Sequence, residues 1–90
     1  MKKSDAQRAQ DWRTVFDFLM TNGATKNEHA VGTAETKRRL RMPNPDFEGM
    51  WKRGFIEWFQ PLGSRLWHCY AAVSQLPPDP VAAPKIRTYD

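Results

Sequence analysis

The chain is poor in the residues that most often carry chemistry. It has one cysteine, Cys69, two histidines, and no apolar run near the roughly 20 residues that cross a bilayer. A single thiol forms no intramolecular disulfide, and no zinc-ligand spacing exists. His68 and Cys69 are adjacent, and adjacent strand residues point to opposite faces, so they do not serve one site. There is no phosphate-cradling glycine loop and no Gly-x-Ser-x-Gly elbow. These absences predict a non-enzyme with no cofactor and no metal. At the N-terminus two lysines precede the polar Ser4-Asp5-Ala6-Gln7-Arg8, where a secretory leader needs an apolar stretch. The expected location is cytoplasmic, with no membrane partner.

What is present is a short basic chain. Ninety residues with a net charge of +4 suit one domain. Residues 76–90 hold four of the seven prolines and two acids against two bases. Proline removes backbone donors, and the segment lacks a periodic apolar face. It is therefore expected to be an extended or disordered tail, either a spacer or a docking strip around Pro84-Lys85-Ile86-Arg87-Thr88-Tyr89. The folding unit is then residues 1–75, where 12 bases face 8 acids.

Within that unit the apolar period changes once. Ser4 with Gln7 is a capping-box start, and Ala9, Trp12, Val15, Phe16, Leu19 and Met20 recur at helical spacing until Asn22-Gly23. A second, mostly solvated helix is expected over residues 34–41, capped by Thr33 and closed by Pro43. Asn44-Pro45 opens a third over residues 45–53, with Phe47, Met50 and Trp51 facing inward and Gly54 ending it. Past Gly54 the period is two. Residues 55–59 and 66–73 read as strands of a hairpin whose connection carries Pro61 and Gly63.

The run Asn44-Pro45-Asp46-Phe47-Glu48-Gly49-Met50-Trp51-Lys52-Arg53-Gly54-Phe55-Ile56-Glu57 resembles the third helix and first wing strand of winged helix-turn-helix proteins. Thr33-Ala34-Glu35 and Arg39-Leu40-Arg41-Met42-Pro43 resemble the second helix and its turn, although Thr36 and Lys37 stand where the family places an inward aliphatic residue. The resemblance implies an α+β fold: three helices, a two-stranded antiparallel hairpin wing, and the proline-rich tail. A competing register makes residues 25–30 the second helix and residues 34–41 the recognition helix; residues 45–53 are preferred for that role.

The resemblance also implies sequence-specific binding of double-stranded DNA. The chain would be a small transcriptional regulator or recombination accessory factor of bacterial or phage type. The charge pattern is compatible: six bases (Lys37, Arg38, Arg39, Arg41, Lys52, Arg53) lie between Thr36 and Arg53 against two acids, Asp46 and Glu48. Phosphate neutralisation supplies most non-specific affinity for DNA. Arg65 in the hairpin is placed like a wing arginine, while Asn44 and Glu48 are candidate base readers, a carboxylate being able to accept from cytosine. A palindromic site would require a homodimer. The alternative is a protein-interaction module that uses an acidic third helix and exposed hairpin aromatics. Phe55, Trp58, Phe59 and Trp67 cannot all point inward from two strands.

Overall fold

Ser4 opens the first helix, α1 (Asp5–Thr21), in a computed structural model that describes residues 3–84 and 86–88. The Ser4 hydroxyl accepts the Gln7 backbone N–H at 3.1 Å, satisfying one donor that the first turn leaves free. The expected stripe faces the core: Trp12, Val15, Phe16 and Leu19 are buried. Gly23, at φ +71°, takes the left-handed conformation that ends the helix. Ala24 follows it into the core, and its carbonyl accepts the Ala71 N–H at 2.7 Å.

A single 3-10 turn, Asn27–His29, then leads into β1 (Val31–Gly32) and directly into α2 (Thr33–Leu40). Next come α3 (Phe47–Lys52), β2 (Ile56–Phe59) and β3 (His68–Ala71). The sheet is antiparallel in the order β1-β3-β2, so the expected two-stranded hairpin is corrected to three strands. Val31 pairs with Cys69 and Gly32 with His68. Two residues, one of them glycine, show no alternation, and the partner they need is nearly forty residues away in sequence. The Thr33 N–H continues the pairing by donating to the Trp67 carbonyl at 2.9 Å.

The third helix starts later than expected because Asp46, not Asn44, caps it. The Asp46 carboxylate accepts the Gly49 N–H at 3.1 Å. Gly49 sits where a Cβ would meet that carboxylate at 2.1 Å and the Trp12 ring at 2.8 Å, so only glycine lets α3 lie this close to α1. Phe47 and Met50 complete the core with Phe55, Ile56, Cys69 and Ala71, and Trp12 meets Phe55 edge to face at 5.7 Å. Burial of each of the large ones, Phe47, Met50, Phe55 and Ile56, contributes about 1.5–3 kcal/mol.

The proline-rich tail packs back on the domain, and the expectation that it adds nothing to the core does not hold. Pro80 is fully buried. Arg13 donates to the Pro78 carbonyl, while Arg53 donates to the carbonyls of Pro80 (2.9 Å), Val81 and Ala83. The N–H groups of Ile86 and Arg87 converge on the Lys52 carbonyl at 2.9 and 2.8 Å, and Arg87 pairs with Glu57. Proline takes away donors but leaves every carbonyl, and a guanidinium supplies five donors to meet them. Lys85 and Tyr89 of the expected docking strip lie outside the described residues.

Candidate nucleic-acid interface

Helix α2 is held by its least likely residue. Thr36 is completely buried, and its hydroxyl donates to the Gly32 carbonyl at 2.9 Å, one turn back. The hydroxyl thus needs no water, and a polar residue occupies an aliphatic position without an unsatisfied group. With Thr36 turned in, residues three and four apart on the other side turn out together. Ala34, Lys37 and Arg41 form that stripe, with Arg38 beside it, and all four are exposed. Arg41 caps the helix in a left-handed conformation, φ 55° and ψ 39°. Arg39 points elsewhere, its guanidinium 5.1 Å over the Phe18 ring of α1.

The outward cations border two concavities. One, of about 410 Å³, is lined by Lys37, Arg38 and Arg41 with Ala34, Met42 and Pro43. The other, of about 490 Å³, brings Arg38 together with Arg65 and Trp67 of the β2–β3 connection at the start of α2. Arg38 belongs to both, so Lys37, Arg38, Arg41 and Arg65 form one continuous surface. Glu35 is the carboxylate on it, 3.7 Å from Arg38. An exposed pair of that length binds weakly and does not cancel the patch.

The remaining expected contacts lie apart from that surface. Lys52 pairs with Glu48 at 3.0 Å, and both border a separate concavity of about 210 Å³ with Arg8, Trp12, Asp46 and Arg53. Arg53 is committed to the tail and stacks 5.2 Å over Trp12. Asn44 is exposed, and its carbonyl accepts from Lys3 at 2.7 Å. Asp46 does not stand on an outward helix face as expected: besides capping α3, its carboxylate accepts from the Trp12 indole at 3.3 Å and lies 3.9 Å from Arg8. The sequence signal for this was the Asp46-x-x-Gly49 spacing, an N-cap one turn later than the one chosen.

At the far end of the hairpin the surface changes character. Trp67 stacks on Trp58 with ring centres 4.6 Å apart, and Leu62 and Leu66 project into solvent. Cys69, the cross-strand partner of Trp58, lies further in on the same face of the sheet and is buried; burial pushes its thiol up to about 12, with the neighbouring Thr36 hydroxyl pulling the other way. Among the described residues no group of three or more His, Cys, Asp or Glu could hold a metal ion. No helix among them is long and apolar enough to cross a membrane. Comparison with family models, curated proteins and solved structures finds no match to this chain.

Proposed function

We propose that the chain is a small winged helix-turn-helix module that binds double-stranded DNA. The element order α1-β1-α2-α3-β2-β3 with sheet order β1-β3-β2 supports the architecture. The observation that carries the DNA reading is the continuous cationic surface of Lys37, Arg38, Arg41 and Arg65, drawn from a helix and a hairpin that are distant in sequence. Two rigid elements presenting cations side by side suit two runs of phosphates flanking a groove. In this reading α2 and the hairpin grip the duplex, and α3 serves chiefly to pack. Such a module fits a small regulator or recombination accessory factor. A protein-binding role for an acidic third helix loses support, because Glu48 is paired with Lys52 and Asp46 is turned into the cap.

The test is binding of the full chain to a random-sequence duplex of 20 base pairs, read by fluorescence anisotropy at low salt. Arg38→Ala/Arg41→Ala lowers affinity about tenfold or more, whereas Lys52→Ala changes it less than about threefold. Equal damage from the two variants, or none from the double variant, contradicts the reading.

A further inference from the structure

The hairpin connection, residues 60–67, holds apolar side chains out in water, Leu62 most fully. Pro61, Leu62, Gly63 and Ser64 form a tight turn: the Ser64 N–H donates to the Pro61 carbonyl at 3.0 Å, and Gly63 adopts φ +82°. Positive φ at the third position, filled by glycine, is the pattern of a type II turn. Two further bonds lock its base. The Leu66 N–H donates to the Ser64 hydroxyl at 3.0 Å, and the Gln60 amide donates to the Arg65 carbonyl at 2.9 Å. On this frame Leu62 is 106% exposed and Leu66 66%. The stacked Trp58–Trp67 pair closes the base of the loop. An ordered turn that displays leucine forgoes its burial and calls for an occupant.

The charges around the tip select one. From residue 58 to residue 78 the chain contains no Asp or Glu, and the cation beside the apolar tip is Arg65, which joins Arg38 on the surface described above. A second copy of this chain meeting tip to tip about a two-fold axis would set Arg65 against Arg65. A polyanion whose interior is apolar fits both properties, and stacked base pairs between phosphate strands are such an object.

We propose that the hairpin tip is a wedge that enters the minor groove, with Leu62 inserted between two base pairs and Arg65 anchored in the groove beside it. The proposal rests on the DNA-binding reading and adds to it that this protein kinks the duplex. Proteins that insert leucine or proline in this way unstack a base step and bend the helix toward the major groove, an unstacking cost that the wedge contacts offset. Flexible pyrimidine–purine steps such as TA are the preferred point of entry, since they unstack most readily.

The experiment uses the full chain with a duplex of 30 base pairs that carries 2-aminopurine beside a central TA step and a donor–acceptor dye pair on its ends. Wild type raises both the 2-aminopurine fluorescence and the energy transfer on binding. Leu62→Ser abolishes both rises while affinity falls less than about tenfold, because the cationic contacts remain. The side chain is fully exposed, so the fold is retained, and circular dichroism checks it. Wild type that binds without either rise, or Leu62→Ser that bends the duplex as wild type does, overturns the wedge and leaves the cationic surface standing. No binding even at low salt overturns both.

Discussion

Several polar residues in this protein are committed inward, and each frees a neighbour for the surface. Thr36 bonds its own helix and touches Cys69 instead of facing solvent, which leaves the opposite side of α2 to lysine and arginine. Asp46 caps α3 and accepts from Trp12, so its carboxylate is held by donors of its own domain while the side chain stays 37% exposed. Cys69 offers a direct check on this packing. Its thiol ionises near 12 in the fold against about 9 when unfolded, so folding favours the protonated form. The resulting stability is fully present below pH 9 and is lost as pH rises toward 12. Stability measured by denaturant titration should therefore fall less steeply over that range in Cys69→Ala than in wild type. At pH 8 the native thiol should resist an aromatic disulfide reagent until the protein is unfolded; labelling within seconds would contradict the burial.

Among the elements, those with a strong local signal were legible in the sequence. Helix α1 occupies the expected residues because its cap, stripe and stop all agree. Strands β2 and β3 fall inside the expected runs, shortened at their ends, and their buried faces alternate as anticipated through Ile56, Cys69 and Ala71. Two features had no local signal. Strand β1 exists only because β3 offers it a partner, and the docking of residues 76–90 exists only because Arg53 offers donors to proline-rich carbonyls. Arg53 itself read as a DNA contact, since a sequence shows a charge but not the acceptors folded against it. Removing the tail after Gln75 exposes the site that Pro80 fills and strips the part-buried Arg53 guanidinium of its acceptors. Losing those charge-assisted hydrogen bonds to solvent, together with the apolar contact of Pro80, costs about 2 kcal/mol. The truncated chain should melt about 10 °C lower by calorimetry. An unchanged melting temperature would mean that the strap contributes nothing.

At the scale of the molecule, the net charge of +4 divides into unlike halves. Around α3 the cations are engaged at closer range: Lys52 with Glu48 at 3.0 Å and Arg53 with the carbonyls of the tail. Around α2 and the hairpin, Lys37, Arg41 and Arg65 stand outward with Arg38, opposed by Glu35 alone among the residues lining those two concavities. The sequence located the basic stretch but spread it over both helices, because pairing depends on which side chains meet. The central claim is that this outward set, and not the whole basic stretch, neutralises DNA phosphate. The salt dependence of duplex binding tests it most directly, since each neutralised phosphate adds about −0.9 to the slope of log K against log salt concentration. Four cations predict a slope of about −3 to −4 for the wild-type chain, falling to about −2 for Arg38→Ala/Arg41→Ala. A wild-type slope near zero, or a double variant that keeps the wild-type slope, would contradict the account.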